Sequence, residues 1–435
     1  MDLEIKKYQI MSEKLLKKAP LSQEQEKCYE SMVKGENIFI TGAGGTGKTE
    51  CILRFADTYQ YQKTIGVTST TGISALLLGG STLHSYLGIG FGKASVKYLV
   101  NKIKERPYLG RRWRSLDILI IDEVSMLSPE LFDKIEEIAR KVLQNEKPFG
   151  GIQLIMSGDF CQLPCVETDN FCFEAKSWNS CIDKTIYLQK IIRQSDKKFQ
   201  QALNDVRLGL LSKETRNLLT SRLNAQISDK YGVHPTKLYC TNSSVDYINN
   251  KELDKLAEND PDFYEYEMDI QPYPNIKNTK YTRDKYIKNC NAPQTLQLCI
   301  GCQVMLLYNL DIDAGLVNGS RGVVKYFVGD MPVVKFLNGK EVVIDHHVWE
   351  IQENHVPILR MIQIPLRLAY ALTAHKSQGC SLDCVEVDLN EVFTYGQAYV
   401  MLSRVRNLEG LKILSLDFDK IRASPKALEY YKNLK

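Results

Sequence analysis

Residues 42–49 read GAGGTGKT, which places a lysine and a hydroxyl at the end of a glycine-rich stretch. Glycines allow a turn whose backbone N–H groups surround phosphate oxygens, and a lysine at this spacing reaches the β- and γ-phosphates of a nucleotide. The hydroxyl of the final threonine is placed to ligate Mg²⁺. The pattern therefore predicts a nucleotide-binding loop formed by Gly42, Ala43, Gly44, Gly45, Thr46, Gly47, Lys48 and Thr49.

The acidic pair Asp122–Glu123 follows an apolar run at residues 116–121. We expect Asp122 to hold Mg²⁺, directly or through water, and Glu123 to polarise an attacking water. A base beside the metal ligand favours hydrolysis of the nucleotide over its storage. Without the preceding phosphate loop, the pair would fit a solvent-exposed strand end equally well.

Four further polar residues could complete such a site: Gln25, Gln162, Arg193 and Arg404. Gln162 could sense the γ-phosphate or its water, because ligands bind at the carboxyl edge of a parallel sheet. Gln25 could bind the adenine edge, or it could belong to a helix N-terminus capped by Ser22. The two arginines could act across a domain cleft, a contribution of about 10³–10⁵ in rate. Alternatively, they are solvated side chains at element ends.

These side chains need a scaffold, and the chain alternates between short apolar runs and helical patterns. The runs TIGVTST, LDILIIDE and IQLIMSGD end in polar residues, and the run NIFITG leads into the glycine-rich stretch. Strands that alternate with helices form a parallel sheet covered on both faces. The pattern predicts a first α/β domain over residues 1–185.

A second α/β pattern begins at residue 186 and is interrupted at about residue 250. The interruption, 251–358, contains short β patterns and the dipeptide Asn338-Gly339, which predicts a type I′ hairpin. We interpret it as an inserted, largely β module. The second domain therefore comprises 186–250 plus 359–435.

The resumed run ends in TAHKSQG at residues 373–379. A buried strand is not expected to end in four polar side chains unless they serve a site. The cluster therefore predicts a function at the carboxyl edge of a second sheet.

Composition narrows the class of protein. The chain has 435 residues, 25% charged and 44% apolar, with a net charge of +4, which fits a globular protein of several domains. That charge permits nucleic-acid binding without arguing for it. No apolar run reaches the roughly 18 residues of a membrane span, and the N-terminus lacks a signal-peptide core. The 12 scattered cysteines suggest a reducing compartment, and Cys299 and Cys302 fit buried thiols better than zinc ligands because no second pair follows.

Eight stretches occur in an order that resembles one family: LSQEQ, GAGGTGKT, TSTTGISALLLGGSTLHS, IDEVSM, SGDFCQLP, LQKIIRQ, ALTAHKSQGCSLD and QAYVMLSRV. They resemble superfamily 1 DNA helicases of the 5′-to-3′ branch, specifically the petite-integration-frequency (PIF) helicases, relatives of RecD. The resemblance covers about residues 20–418. The stretch at 196–209 resembles one typical of PIF helicases. Cys161, Cys165 and Ser381 depart from the family's pattern without removing a group that has an assigned role.

The resemblance implies an α/β fold with two RecA-like P-loop domains. It also implies a small wedge insertion at about 86–115 in the first domain and an SH3-like barrel in the second. ATP and Mg²⁺ would lie between the domains. The implied nucleotide site adds to the phosphate loop Gln25, Asp122, Glu123, Gln162, Arg193, Gly379 and Arg404.

The expected partners are single-stranded DNA and 5′-tailed duplex DNA, bound by a monomer. No membrane is expected, and the compartment would be the nucleus or a viral host cell. The residues expected on DNA are Thr70, Thr71, Thr82, His84, His375, Lys376, Ser377 and Tyr399. The threonines could instead be helix caps, His84 could have a structural role, and Tyr399 could be part of the core.

The basic stretch KIKERPYLGRRWR, residues 102–114, leaves two interpretations open. Basic groups between aromatic ones suit an element that binds or separates strands. A solvated amphipathic helix with Trp113 packed inward suits the pattern equally well.

Two rival functions remain. A 3′-to-5′ superfamily 1 helicase would carry different sequences in place of GDFCQLP and HKSQG, and it would unwind only 3′-tailed duplexes. A nucleotide-switched binding or clamp-loading protein would hydrolyse ATP slowly and without response to single-stranded DNA, and it gives HKSQG no role.

Overall fold

The computed structural model describes residues 20–434 with short gaps. The described ranges are 20–90, 92–165, 168–227, 232–258, 263–273, 287, 290, 292–308, 310–311, 314–316, 319–353 and 356–434. The N-terminal stretch considered for a targeting signal lies outside them.

The first sheet has six parallel strands in the order β3-β2-β4-β5-β1-β6. Its central strands β1 and β4 are buried along their whole length, as expected for apolar runs with helices on both faces. The strands are Ile38–Gly42 (β1), Ile65–Ser69 (β2), Ser81–Thr82 (β3), Ile118–Asp122 (β4), Gln153–Gly158 (β5) and Lys184–Leu188 (β6). The last of these pairs with β1, although the sequence pattern starts the second domain at 186.

The remaining strands form a second parallel sheet and an antiparallel module. They are Thr236–Tyr239 (β7), Tyr264–Glu267 (β8), Asp269–Pro272 (β9), Thr295–Leu298 (β10), Gln303–Leu306 (β11), Arg321–Val328 (β12), Met331–Phe336 (β13), Glu341–Val343 (β14), His347–Glu353 (β15), Val356–Gln363 (β16), Leu366–Leu368 (β17), Ala371–Thr373 (β18), Val385–Asp388 (β19) and Leu411–Ser415 (β20). The second parallel sheet has the order β18-β7-β19-β20. The α/β class with parallel sheets is therefore confirmed.

Helices cover both parallel sheets. They are Gln23–Val33 (α1), Lys48–Tyr59 (α2), Gly72–Leu77 (α3), Leu83–Tyr86 (α4), Val96–Glu105 (α5), Pro107–Ser115 (α6), Pro129–Leu143 (α7), Trp178–Cys181 (α8), Lys197–Leu208 (α9), Lys213–Thr220 (α10), Asn242–Ala257 (α11), Ala374–Ser377 (α12), Gln397–Leu402 (α13) and Pro425–Asn433 (α14). No helix in these ranges is long and apolar enough to cross a membrane.

The antiparallel module extends beyond its predicted end at 358. Its five-stranded sheet has the order β14-β13-β12-β11-β17, and the hairpin β15-β16 pairs with β9. Strands β16 and β17 belong to this module, so the parallel pattern resumes only at Ala371. A short apolar run looks the same whether its partners are parallel or antiparallel, which explains the difference.

The dipeptide Asn338-Gly339 does connect the hairpin β13–β14. A type I′ turn needs positive φ at both residues, but only Gly339 has it, at 86°. The backbone N–H of Phe336 donates to the Lys340 carbonyl at 2.9 Å. The connection is therefore a three-residue loop closed by a left-handed glycine, and the predicted turn type was wrong.

Helices α5 and α6 lie within the interval, about 86–115, that is predicted to be a wedge. Trp113 is only 1% exposed, and its indole N–H donates to the Leu87 carbonyl at 3.1 Å. The inward-packed alternative is therefore the one observed for this ring. Basic side chains of the same stretch remain on the surface, among them Lys104, Arg106 and Arg111.

The C-terminal helix α14 lies against the first sheet. Ala427 and Tyr431 belong to the core that also contains Phe39 and Phe160. The Tyr431 hydroxyl hydrogen-bonds to Thr41 Oγ1 in β1 at 2.7 Å. The chain thus returns from the second sheet to the first, although the sequence pattern keeps 359–435 in one domain.

Candidate nucleotide and nucleic-acid site

The phosphate loop connects β1 to α2. Gly47 has a φ of 83°, a left-handed conformation that suits glycine. A Cβ on Gly42 would lie 2.3 Å from the Leu188 carbonyl oxygen, so a side chain there is excluded. The Lys48 ammonium donates to the carbonyls of Gly42 and Ala43 at 2.8 and 3.0 Å, and burial lowers its pKa. The lysine is thus folded over the loop where phosphates would lie.

Gln25 has the helix-cap role that was one interpretation of its position, and its contact with adenine stays a prediction. Its side-chain oxygen accepts from the Ser22 backbone N–H at 2.9 Å, and its own backbone N–H donates to the Ser22 hydroxyl at 3.3 Å. These bonds form the capping box of α1. Its amide nitrogen also reaches the carbonyl of Gly47 at 3.3 Å. The cap therefore holds Gln25 against the phosphate loop.

The acidic pair lies at the end of β4, beside the phosphate loop. The Thr49 hydroxyl donates to Asp122 Oδ2 at 3.4 Å, and burial raises the pKa of Asp122. A hydroxyl and a carboxylate this close are the hard oxygen donors that Mg²⁺ prefers. The donor set therefore fits that ion.

Glu123 follows in a left-handed backbone conformation, with φ 55° and ψ 44°. Its N–H donates to Asp122 Oδ1 at 2.9 Å. Burial, and then the charge of Asp122, raises the pKa of Glu123, which makes its carboxylate a stronger base than an exposed one.

The side of the second sheet contributes a glutamine and an arginine to the same place. Gln378 Nε2 donates to Glu123 Oε2 at 2.9 Å. Arg404 is buried, and its guanidinium donates to the carbonyls of Val400 and Ser377 at 2.8 and 3.3 Å. Burial lowers the pKa of Arg404.

Arg193 approaches from the segment after β6. Its guanidinium donates to the Ser403 carbonyl at 3.2 Å, and burial lowers its pKa to about 10. Within the described ranges, neither Arg193 nor Arg404 forms a salt bridge with a carboxylate. Both positive charges are therefore held by neutral groups and can still bind an anion.

A cavity of about 750 Å³ lies between the two sheets. Gln162 lines it, and the buried Oε1 atom of this residue has no hydrogen-bond partner in the described part of the chain. An orphaned acceptor in a cleft suits a water or a ligand donor. The predicted nucleotide residues that line the cavity are Gln25, Gly44, Gly45, Gly47, Lys48, Thr49, Asp122, Glu123, Gln162, Arg193, Gly379 and Arg404.

The residues expected on DNA are divided between surface and interior. Thr82, His84, His375 and Lys376 are half-buried, with part of each side chain accessible. Burial lowers the pKa of Lys376. These four residues stay predictions for DNA contact.

Two threonines at the end of β2 bond within the protein. The Thr70 hydroxyl donates to the Glu123 carbonyl at 2.7 Å. The Thr71 hydroxyl accepts from the Ser74 N–H at 3.3 Å, the helix-cap role that was the alternative interpretation.

Tyr399 and Ser377 lie away from any surface that DNA could reach. Tyr399 is 2% exposed, and its hydroxyl accepts from the Gly44 N–H of the phosphate loop at 2.7 Å. Ser377 is buried and donates to the Ala374 carbonyl at 2.8 Å. The burial of Tyr399 could have been predicted from its apolar neighbours in the sequence, because a helix that is apolar on all sides is buried.

Sequence reasoning missed a buried ion pair. Arg207 donates twice to Asp159, at 2.8 and 2.9 Å, and both side chains are at most 1% exposed. Burial opposes ionisation of Asp159, but Arg207 and Lys48 outweigh it and hold its pKa below the usual value. Phe199, Leu203 and Arg207 follow one another at intervals of four residues and lie on the buried face of α9. A charged residue at an apolar position of a helix indicates a buried partner of opposite charge, so this spacing could have revealed the pair.

Two family models match the chain. The model described as PIF1-like helicase matches residues 20–217, which contain the phosphate loop, the acidic pair and α9. The model described as DNA helicase Pif1, 2B domain, matches residues 287–327, within the antiparallel module.

Known proteins resemble the chain over nearly its whole length. ATP-dependent DNA helicase PIF1 of Xenopus laevis is 40% identical over 95% of this chain, which spans 64% of that relative's length. The crystal structure of Pif1 helicase from Candida albicans has a TM-score of 0.81 and 36% identity, and covers 96% of this chain and 100% of its own. Pif1 from Bacteroides, solved with ADP-AlF3 and single-stranded DNA, has a TM-score of 0.69 and 28% identity, covering 96% of this chain and 97% of its own. The chain therefore belongs to the PIF1-like family of superfamily 1 ATP-dependent DNA helicases.

Proposed function

We propose that this chain is an ATP-dependent 5′-to-3′ DNA helicase that moves along single-stranded DNA and unwinds duplexes in DNA replication, repair or recombination. One observation carries the proposal. The carboxylate beside the phosphate loop is hydrogen-bonded by a glutamine from the second sheet, Gln378 to Glu123 at 2.9 Å. Hydrolysis and the arrangement of the two sheets are therefore linked at one contact.

The reaction is the transfer of the γ-phosphoryl group of ATP to water. Lys48 and the loop N–H groups would bind the phosphates, and Glu123 would accept the proton of the attacking water. Gln162, whose amide oxygen is free in the cavity, would orient that water. Thr49 and Asp122 would hold Mg²⁺, which neutralises phosphate charge when bound.

Arg193 and Arg404 would stabilise the charge that develops on the transferred group. Both reach the cavity from outside the first sheet's phosphate loop, so their approach depends on closure of the cleft. ATP would draw the two sheets together, and hydrolysis would let them part. Alternating grip on single-stranded DNA would turn this cycle into movement.

The DNA track would pass over the carboxyl edges of both sheets. His375 and Lys376, on the short helix after β18, are accessible enough to bind the backbone, as are Thr82 and His84 near β3. The Bacteroides relative solved with single-stranded DNA supports a DNA partner. The exposed basic residues of the wedge helices α5 and α6 would meet the duplex.

Unwinding of tailed duplexes tests the proposal. The protein with ATP and Mg²⁺ should separate a 5′-tailed duplex and leave a 3′-tailed one intact, measured by release of a fluorescent strand. Lys48→Ala removes the phosphate contact and should abolish release. Unwinding of only 3′-tailed duplexes, or activity that survives Lys48→Ala, would contradict the assignment.

We also propose that one copy of the chain acts on each DNA strand, and that it works in a reducing compartment such as the nucleus or a viral host cell. All 12 cysteines are free thiols, which supports the second point. Sedimentation of the protein with and without a short single strand measures the first, and a dimer on the strand would contradict it.

A further inference from the structure

Glu123 adopts a backbone conformation that needs support. A glutamate at φ 55° and ψ 44° lies in the left-handed region, at a cost of about 1–2 kcal/mol. Such a conformation persists only when surrounding contacts determine it. The contacts that do so therefore decide where the carboxylate points.

Three polar groups of Glu123 form hydrogen bonds, and its carbonyl has two donors, one of them the Met126 N–H at 3.2 Å. Asp122 accepts from its N–H at 2.9 Å, the Thr70 hydroxyl donates to its carbonyl at 2.7 Å, and Gln378 Nε2 donates to its Oε2 at 2.9 Å. The side-chain carboxylate keeps its other oxygen, Oε1, for the attacking water. Thr70 and Gln378 come from opposite sides of the cleft.

Gln378 is suited to hold a carboxylate. It is fully buried at the end of α12, so its side chain has little freedom. An ionised carboxylate can only accept, so the amide must present its nitrogen to Glu123. The other amide atom, Oε1, has no partner among the described residues, so the bond to Glu123 alone sets the orientation of this amide.

The same turn also holds the catalytic arginine. The carbonyls of Ser377 and Cys380, on either side of Gln378, accept from the Arg404 guanidinium at 3.3 and 3.5 Å. Thr70 in turn lies after β2, in the stretch that continues through α3 to Thr82 in β3 and His84 in α4. Each support of Glu123 therefore adjoins a stretch that, in the proposed function, faces DNA.

We propose that Thr70 and Gln378 are positioning residues that together fix the carboxylate of Glu123, one from each side of the cleft. Neither touches ATP. This Glu123 clamp rests on the proposed function and specifies how the geometry of the base depends on both sheets. Loss of either bond should slow the chemical step without weakening ATP binding.

Gln378→Met is the sharpest test, because methionine keeps the length and shape of the side chain and removes both amide atoms. We expect kcat for ATP hydrolysis with saturating single-stranded DNA to fall by about 10- to 100-fold, as for a misplaced catalytic group. KM for ATP should stay within about twofold. A role in packing alone would leave kcat unchanged.

Thr70→Val provides an independent arm, since it replaces one hydroxyl by a methyl group. It should lower kcat by about 2- to 10-fold, the worth of one neutral hydrogen bond. Gln297→Met is the matched control, because Gln297 donates its amide to Glu265 on the antiparallel module. Thermal unfolding of each variant shows whether the fold is retained.

Two results would overturn the clamp. One is a kcat within about twofold of wild type in both Gln378→Met and Thr70→Val, and the other is a loss confined to KM. Failure of the proposed function looks different. In that case the unmodified protein would hydrolyse ATP but would not unwind a 5′-tailed duplex.

Discussion

Arg404 shows how a protein can bury a positive charge and keep it available to a ligand. Its side chain is 2% exposed, yet its donors bond only carbonyls and the Ser403 hydroxyl in the described structure. Neutral acceptors orient the guanidinium without cancelling its charge. The positive charge therefore acts in the cavity, where it opposes the rise in the pKa of Glu123 that burial causes.

Arg404→Ala should lower kcat of the DNA-stimulated ATPase by about 10³-fold or more, because in the proposed function Arg404 stabilises the transition state. Binding of a fluorescent ATP analogue should change far less. Arg140→Ala, which removes a surface arginine paired with Glu136 on α7, is the matched control and should keep wild-type kcat. Equal losses in the two variants would contradict the role.

At the residue scale, the spacing of residues in the sequence predicted which residues lie near the site. It did not predict which way each side chain points. Most residues predicted for the nucleotide line one cavity, although Gly42, Ala43 and Thr46 do not, and the phosphate loop and strand ends among them are local patterns. Tyr399 and Ser377 were misplaced because a short helix can turn a polar atom inward or outward. Only tertiary packing decides between the two, and the hydroxyl of Tyr399 found a backbone N–H inside.

At the scale of elements, α9 and α14 are joined to the first sheet by one polar cluster. Arg207 pairs with Asp159 after β5, and the Tyr431 hydroxyl lies 3.2 Å from Asp159 Oδ1. The guanidinium also lies over the Tyr431 ring, 4.8 Å from its centroid. Three segments that are far apart in sequence thus meet beneath the phosphate loop.

Arg207→Met should destabilise the first domain by about 3–5 kcal/mol, because it leaves Asp159 buried without its counter-charge. The double variant Asp159→Asn, Arg207→Met should lose less than the sum of the two single variants. Urea unfolding followed by fluorescence of Trp113 and Trp178, which lie in that core, measures both. Additive losses would show that the pair is not coupled.

Element type was more predictable than element partners. The alternation of strands and helices indicated parallel sheets, and Asn338-Gly339 indicated a hairpin. The strands that pair with β6, β16 and β17 were not predictable, because the sequence of an apolar run of three to eight residues does not indicate which sheet it joins. For that reason, the strand pairing in the structure does not follow the domain boundaries predicted at 185 and 358.

At the scale of the whole molecule, a net charge of +4 is too small to drive DNA binding by itself. Local contacts must supply the affinity. We expect the logarithm of the binding constant for single-stranded DNA to fall with the logarithm of salt concentration, with a slope of about −0.7 per phosphate contacted.

Lys376→Ala should weaken binding and make that slope shallower by about 0.7, the share of one phosphate contact. Lys432→Ala removes an equal charge from the surface of α14 and should leave the slope unchanged. Fluorescence anisotropy of a labelled strand over a salt series measures both. An equal effect of the two substitutions would mean that overall charge, not local contact, governs binding.

The return of α14 to the first core means that the chain passes between the two sheets twice, through residues 189–196 and 416–424. Two bodies joined at one point can rotate about three axes, but two bodies joined at two separate points rotate freely only about the line through both. We therefore expect any relative movement of the parts that hold the two sheets to resemble a hinge more than a free swivel. One of the two joints carries Arg193, whose N–H donates to the Gly45 carbonyl at 3.1 Å. A hinge through that joint would pass beside the phosphate loop, where, in the proposed function, ATP is hydrolysed.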